Sequence, residues 1–414
     1  MRTVIWLILL FVVAVVAATT LGSNDGLVTI YWAGWRTELS LNLFLILLVG
    51  SCVLLLFAVQ ALSSLVSLPA RAGEWRALRR ERAAQAALRE ALASYFGARY
   101  SRAHKAAGRA LALQADVPEL ATDGEFTALA HVLAAGSLHR LQDRKRRDAQ
   151  MQSLFAGGRR GSGPGAEEGA HLLAAEWALD DADSDRALEL LGQLPAGVAR
   201  RTQALRLKLR AARLAGRPLD ALQTARLLAK HQAFTPLAAK GLLRSLAAEA
   251  IDGTHDMQQL RRVWQQLDHA ERHDPTVAAR WSARAMVLGG ADDARQALRP
   301  FWDRLGDLDR DDREKIALAL VDAVPGIGPE WLAGLESALT SHGHEPAVVL
   351  AVGMAFADRQ LWGKARRLLE QSAAAAGLPG RARRRAWRAL ARMAAEEGDE
   401  ARARQCAESA AALE

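Results

Sequence analysis

The sequence predicts an all-α protein in which an N-terminal transmembrane hairpin of two helices precedes a solenoid of stacked helix pairs. Two apolar runs, Val4 to Leu21 and Leu41 to Leu62, contain no charged residue, and each is about as long as the ~20 residues that cross a bilayer as a helix. The rest of the chain is rich in Ala, Leu and Arg and poor in β-branched residues, a composition that favours helix. We therefore expect a helical domain that is tethered to a membrane.

The first apolar run has two interpretations. Arg2 gives it a basic start, and the small residues Ala17 to Thr20 offer a cleavage point of the kind found in signal peptides. The second run follows closely, which favours an uncleaved hairpin of two spans. Since neither run contains an ionisable residue, the hairpin is predicted to be an anchor rather than a transporter or a channel.

Charge sets the expected orientation of the hairpin. The link from Gly22 to Ser40 is net negative, whereas five arginines follow the second span between Arg71 and Arg82. Positive charge accumulates on the cytoplasmic side of membrane proteins, so both termini and the helical domain are predicted to be cytoplasmic. Within the link, Leu27 to Trp32 followed by Ala33 and Gly34 predicts a short β-hairpin.

The composition agrees with a cytoplasmic body beside a membrane. The two cysteines, Cys52 and Cys406, are too few for a disulfide framework or a zinc knuckle. The net charge is +8, and arginine is strongly preferred to lysine. Basic residues close to an anionic leaflet each contribute roughly 1 kcal/mol of attraction, so membrane lipid is an expected partner.

A repeat with a period of about 34 residues is typical of tetratricopeptide (TPR) helix pairs. Ala187 and Ala221 are 34 residues apart, and Gly216 lies five residues before Ala221 at the expected turn. In the last copy, Gly398 precedes Ala403 by the same five residues. Alanine-rich helices produce such matches by chance, but glycines at the turn position argue against that explanation.

Further copies match the repeat pattern less closely. They are indicated at Tyr100 to Leu113, at Gly289 to Ala294, at Val349 to Ala365 and, in the last copy, at Trp387 to Ala391. The glycine-rich run Gly157 to Gly165 interrupts the helical pattern. We therefore predict four regions: a hairpin at 1–65, a membrane-proximal helical block with one TPR-like pair at 66–156, a loop at 157–167 and a TPR-like α-solenoid at 168–414.

Stacked TPR pairs form a superhelix whose inner groove is lined by the first helix of each pair, and such grooves bind peptides or protein surfaces. Two sets of arginines fall at helical spacing on the predicted groove side. They are Arg206, Arg210 and Arg213 in one repeat and Arg385, Arg388 and Arg392 in the last. Arginine binds carboxylates in a bidentate way, which suits acidic peptides or the propionates of a porphyrin. The alternative is that these arginines are solvated faces of basic helices.

Catalytic and metal signals are weak. His269 and His273 are one helical turn apart, a spacing that can hold a metal or face a haem, but the glutamate between them does not fit the H-E-x-x-H zinc motif. An exposed helix carrying two histidines explains this pair better, and the loop cluster His342 to Glu345 is equally unspecific. No catalytic residues, metal site or cofactor site are assigned, so a non-catalytic role is favoured. The basic runs Arg144 to Arg147 and Arg381 to Arg388 lie in no nucleic-acid-binding fold, so no nucleic-acid partner is expected.

The order of the segments along the chain resembles the HemY family of proteobacterial inner-membrane proteins. The resemblance is carried by the hairpin with its link Gly26 to Leu41, then Ala103 to Leu113, Gln259 to Trp264, Asp274-Pro275, Gly289 to Ala294 and Leu361 to Ala365. It implies an inner-membrane TPR protein associated with late haem and porphyrin biosynthesis, with no agreed chemical activity. A flavin-dependent protoporphyrinogen oxidase shares the name, but Gly161 to Gly165 lacks the strand and βαβ unit of a dinucleotide site.

Two hypotheses of different class follow from the sequence and the resemblance. The first is a scaffold or regulator whose groove gathers haem-biosynthesis enzymes or other proteins at the inner membrane. The second is a carrier or enzyme that binds a late tetrapyrrole directly, with arginines at the propionates and His269 or His273 near the iron. A periplasmic location of the repeats is a further alternative that depends on topology alone. The oligomeric state and the particular partner stay open.

Overall fold

The computed structural model describes residues 25–115, 123–157 and 164–413, together with Val13. Apart from Val13, the predicted first span from Val4 to Leu21 lies outside these residues. The chain divides into two compact units, residues 1–162 and 163–414. Each unit is described by itself below.

A two-stranded antiparallel sheet precedes the first helix. Strand β1 (Leu27–Trp32) pairs with β2 (Trp35–Ser40), and Trp32 lies opposite Trp35 at the tip. The two turn residues, Ala33 and Gly34, both have positive φ, which is the backbone of a type I′ turn and matches the twist of the strands. The β-hairpin predicted for the link is thereby confirmed.

Helix α1 (Leu41–Phe96) continues without a break from the apolar run into the packed helices of the first unit. Ser40 caps its start, because the Ser40 hydroxyl oxygen accepts a hydrogen bond from the Leu43 N–H at 3.3 Å. Within the described residues, one helical segment is long and apolar enough to cross a membrane, Leu41–Leu62, with a mean hydropathy of 2.7 and none of its most apolar window buried.

The boundary predicted at residue 65 therefore falls inside a helix that is about 84 Å long. A change of surroundings from lipid to water alters which side chains are favoured, but it leaves the backbone hydrogen bonds of a helix intact. The Arg, Ala, Leu and Glu residues that dominate the second half of α1 are good helix formers, so nothing ends the helix there.

Two helix pairs make up the helical part of the first unit. The end of α1 packs on α2 (Tyr100–Ala115), and α3 (Gly124–Arg140) packs on α4 (Arg144–Gly157). The sequence predicted one pair in this block, and the described residues contain two.

The second unit is a series of helices that pack mainly as antiparallel pairs on their neighbours along the chain. The helices are α5 (Pro164–Asp180), α6 (Ser184–Gly192), α7 (Ala196–Ala199), α8 (Thr202–Leu214), α9 (Pro218–Lys230), α10 (Pro236–Asp252), α11 (Met257–Gln266), α12 (His269–Arg272), α13 (Pro275–Val287), α14 (Ala291–Trp302), α15 (Arg310–Ala323), α16 (Leu332–His342), α17 (Pro346–Asp358), α18 (Trp362–Ala374), α19 (Gly380–Glu396) and α20 (Glu400–Ala411). Short 3₁₀ turns lie at Leu305–Asp307 and Pro329–Trp331. The first helices of the pairs are α5, α8, α10, α13, α15, α17 and α19. The arrangement is solenoid-like, as the sequence predicted.

The start of α5 shortens the predicted loop at 157–167. Pro164 is the first residue of this helix, a position where proline is favoured because the first helical N–H has no intrahelical partner. At the other end of the predicted loop, Gly157 is the last residue of α4.

The turn between the two helices of a pair has a recurrent backbone. In the α17–α18 turn, the Gln360 N–H donates to the Ala357 carbonyl at 3.0 Å and the Leu361 N–H donates to the Phe356 carbonyl at 2.8 Å. This is a Schellman motif, and its central residue has positive φ. The same pattern occurs at Ala98, Gln142, Ala182, Gly216, Gly289 and Gly398. Gly216, Gly289 and Gly398 are the turn glycines that the sequence predicted.

Small residues let the paired helices approach closely. Ala187, Ala221, Ala294 and Ala365 each lie five residues after a turn residue of positive φ and are fully buried. Across the α17–α18 interface, a Cβ built on Gly353 would lie 3.1 Å from the Cβ of Leu368. The larger apolar residues fill the space between pairs and form one continuous core through most of the second unit.

Candidate functional site

Many arginines of the second unit tie neighbouring helix pairs together. Arg261 on α11 makes a two-pronged contact with Asp293 on α14 at 3.0 and 2.6 Å, and Arg280 on α13 contacts Asp252 on α10 at 2.6 Å through both arms. Further ion pairs of this kind are Arg217–Asp185, Arg313–Glu345, Arg366–Glu397 and Arg402–Glu370. These partners are about one repeat apart in the chain, so the salt bridges follow the periodicity of the solenoid.

The first predicted arginine set lines a cavity of about 900 Å³, called here the α8 cavity. First helices of three successive pairs contribute to it: the end of α5 with Leu179, α8 from Arg206 to Leu214, and Glu249 near the end of α10. The lining residues are Leu179, Ala182, Arg206, Leu209, Arg210, Arg213, Leu214, Ala233, Phe234 and Glu249. The cavity therefore combines apolar side chains with three arginines.

The three arginines of the α8 cavity differ in what already binds them. Arg210 pairs with Asp180 at 3.1 Å, and Arg213 lies 3.8 Å from a carboxylate oxygen of Glu249. Arg206 is exposed and makes no hydrogen bond or ion pair with another residue that the structure describes. Of the three guanidinium groups, that of Arg206 is therefore the one whose N–H donors all face solvent.

The second set lines a cavity of about 840 Å³, called here the α19 cavity. Three successive first helices, α15, α17 and α19, contribute to it, together with Trp362 of α18 and Ala407 and Ala410 of α20. Arg385 pairs with Asp322 on α15, and burial lowers the pKa of the Arg385 guanidinium. Arg388 also lines the cavity. Arg392 is exposed and, within the described part of the chain, forms no ion pair. Met354, Met393 and Trp362 supply apolar surface beside these charges.

Both cavities have the chemistry to hold an anion that also has an apolar part. A free guanidinium presents donors in a planar fork that fits a carboxylate. The apolar residues beneath it gain from burial at roughly 25 cal/mol per Å² of apolar surface removed from water. A carboxylate next to an aliphatic or aromatic side chain, as in an acidic peptide, satisfies both requirements.

The predicted histidine pair lies elsewhere, in a cleft of about 470 Å³ between second helices α11 and α14 and the short helix α12. The rings of His269 and His273 stack with their centroids 3.8 Å apart. Trp264 and Trp281 lie in the same cleft with ring centroids 5.1 Å apart. Arg272 also lines the cleft, which therefore combines aromatic faces with positive charge.

The Nδ1 atom of His273 is a hydrogen-bond donor. It lies 2.8 Å from the carbonyl oxygen of His269. Because a carbonyl oxygen only accepts hydrogen bonds, Nδ1 must carry a proton, and the lone pair of a neutral His273 is then on Nε2. Across the described residues, no group of three or more His, Cys, Asp or Glu side chains is placed to hold a metal ion.

Sequence reasoning missed two features of these sites, the counter-ions of the arginines and the tryptophans beside the histidines. The counter-ions Asp180, Glu249 and Asp322 are separated from their arginines by 30 or more residues, so their pairing depends on how the helices stack. The tryptophans of the histidine cleft come from two different pairs. The only signals for them were the aromatic character of Trp264 and Trp281 and their nearness in the chain to His269.

These observations define a helical-repeat protein that carries a helix of membrane-spanning length near its N-terminal end. Residues 26–135 match the family model described as HemY protein N-terminus. Over this N-terminal region the chain is similar to the HemY family.

Other comparisons add little. The comparison with curated proteins gave no sequence match. Among solved structures, one chain in "Structure of Naa15/Naa10 bound to HypK-THB" is similar over 75% of this chain, with 11% sequence identity and a TM-score of 0.26. This chain spans 56% of the length of that neighbour. A likeness at this level supports no conclusion about function.

Proposed function

We propose that this protein is a membrane-anchored TPR scaffold or regulator associated with late haem biosynthesis, which binds acidic segments of pathway proteins through the arginine-lined first helices of its repeats. The observation that carries the proposal is the pair of cavities in which Arg206 and Arg392 lie above apolar surface without an ionic partner among the described residues. The match of residues 26–135 to the HemY N-terminus model supports the association with haem biosynthesis.

The proposed location is the inner membrane, with two spans and with the repeats in the cytoplasm. The apolar segment Leu41–Leu62 and the arginines that follow it in the sequence support this arrangement. A cytoplasmic reporter fused to the C-terminus should be active and a periplasmic reporter should be silent. The opposite result would place the repeats in the periplasm.

Chemical crosslinking followed by capture tests the scaffold role. The full-length protein is crosslinked in its own membranes, solubilised in detergent and isolated, and the captured proteins are identified by mass spectrometry. We expect haem-pathway enzymes, and we expect the double variant Arg206→Glu/Arg392→Glu to lose them. The matched control is Arg262→Glu/Arg367→Glu, because these arginines are equally exposed but lie on second helices α11 and α18. Equal capture by the two double variants would contradict the proposal.

Direct binding of a tetrapyrrole is the second candidate, and the His269–His273 cleft favours it. Two tryptophan rings offer flat apolar surface, Arg272 offers a partner for a propionate, and the Nε2 atom of His273 has the lone pair that a haem iron needs. Titration with haemin should give a saturable Soret shift that is lost in His273→Ala. A flat titration, or an unchanged shift in that variant, would remove this candidate.

A further inference from the structure

The α8 cavity and the α19 cavity share one construction. First helices of three successive pairs contribute to each, and each holds one arginine, Arg206 or Arg392, with no ionic partner among the residues described by the structure. Each also has apolar surface within the same cavity, Leu209 and Phe234 in one and Met354 and Met393 in the other. They are therefore two copies of one kind of binding surface.

The arginines of the first helices that directly follow α8 are occupied. Arg244 on α10 makes a two-pronged contact with Asp274, and Arg280 on α13 makes one with Asp252. Arg284, also on α13, donates to the Thr254 carbonyl at 3.0 Å. These are all the arginines of α10 and α13. Neither α10 nor α13 therefore offers a free guanidinium, in contrast to α8 and α19.

We propose that one partner occupies both cavities at once, and that this partner is an acidic polypeptide segment with two anchors, each an apolar residue flanked by carboxylates. The inference rests on the proposed function, because it assumes that the arginine-lined surface binds protein. The charge pattern argues for it, since an acidic segment along the first helices would meet a free arginine in each cavity and none on α10 and α13.

The geometry sets the spacing of the anchors. Five steps between successive first helices separate α8 from α19, and packed helices lie about 8 to 10 Å apart, so the cavities are roughly 40 to 50 Å apart along the surface. A semi-rigid, proline-rich segment rises about 3.1 Å per residue, so about 15 residues bridge this distance. A spacer of about four residues is far too short for that span.

Labelled peptides test the inference by fluorescence anisotropy with the full-length protein in detergent micelles. One peptide has a Glu-Leu-Glu anchor at each end of a proline-rich spacer of about 15 residues. A second peptide has the same length and one anchor, and a third has both anchors on the short spacer. We expect the long two-anchor peptide to bind about 100-fold more tightly than the one-anchor peptide, because the second contact is intramolecular.

Arginine variants of the protein show in which cavities the two peptide anchors bind. Arg206→Glu and Arg392→Glu should each reduce binding of the long two-anchor peptide to the level of the one-anchor peptide, and the short two-anchor peptide should stay at that level throughout. Arg367→Glu, an equally exposed arginine on second helix α18, should change nothing.

Two results would overturn the inference. If the long two-anchor peptide binds no more tightly than the one-anchor peptide, and either arginine change weakens both, the cavities act singly and the proposed function stands. If neither Arg206→Glu nor Arg392→Glu changes the binding of any peptide, the inference also fails. The capture experiment above then decides the proposed function independently.

Discussion

Arg385 on α19 forms an ion pair with Asp322 on α15, a first helix that belongs to the second pair before its own. The two side chains are 34% and 30% exposed. Arg392 lies two turns further along α19 and has no ionic partner in the described part of the chain. One face of α19 therefore contributes both a salt bridge that links distant pairs and a guanidinium that remains available to a ligand.

Asp322→Asn should destabilise the protein more than Arg385→Met. Burial already opposes the charge on Arg385, as the lowered pKa of its guanidinium indicates. Without Asp322 that charge has lost its counter-ion, whereas Met fills a similar volume with no charge. Because the pair is about one-third exposed, we expect a loss of about 1 kcal/mol for Asp322→Asn. Thermal unfolding followed by circular dichroism checks the order, and a larger loss for Arg385→Met would contradict it.

Gly398→Ala should destabilise the last pair by about 1 kcal/mol, because an L-residue with a side chain is strained at positive φ. Gly398 has φ +81° and no atom within 4 Å of an added Cβ, so the backbone alone causes the loss. Gly363→Ala is the matched control, since Gly363 lies in helix α18 and an added Cβ there also meets open space. The control should raise the melting temperature, and a fall similar to that of Gly398→Ala would refute the turn argument.

Gly353→Leu should cost about 1 to 3 kcal/mol because it overpacks the interface between α17 and α18. A Cβ at this position already lies 3.1 Å from Leu368 and 3.2 Å from Leu369. Gly363→Leu adds the same side chain in open space and should be neutral or stabilising. If the two variants have the same urea midpoint, Gly353 does not set the approach of the two helices.

The repeats that the sequence predicted are those with glycine or alanine at the closest approach of the two helices. Gly353 and Ala365 marked the α17–α18 pair, and the structure places both at that interface. The α3–α4 pair was missed because Arg147 takes the place of the small residue five positions after the turn residue Gln142. Arg147 is buried there and contacts His139 and Asp148.

Spacing along the chain also placed Arg206, Arg210 and Arg213 together, because residues three and four apart share one face of a helix. It could not separate the free arginine from the occupied ones. That difference comes from Asp180 and Glu249, which helix stacking brings from neighbouring pairs. Long-range ion pairs are set by tertiary packing and leave no periodic signal in the sequence.

Stability should fall on acidification because of His171. Burial lowers the pKa of this imidazole below its ordinary value of 6.5, so the unfolded chain binds a proton more tightly than the folded protein does. Stability is then fully present above the ordinary pKa and is lost as the pH falls through the lower folded value. Melting temperatures measured from pH 8 to pH 5 should show a drop that is smaller in His171→Leu.

The exposed His255 provides the control for this pH dependence. His255→Leu should retain the whole drop seen in the unmodified protein. An equal drop in His171→Leu and His255→Leu would exclude His171 as its source.

Site-specific photo-crosslinking in native membranes tests the central claim most directly. A photoreactive amino acid replaces either Leu214, which lines the α8 cavity and is 49% exposed, or Leu227, which is 45% exposed on second helix α9. The account predicts crosslinks to haem-pathway proteins from position 214, their loss when Arg206 is changed to Glu, and none from position 227. Two results would contradict a partner-binding role for the arginine-lined inner surface. One is equal crosslinking from both positions, and the other is crosslinking from position 214 that stays the same when Arg206 is changed to Glu.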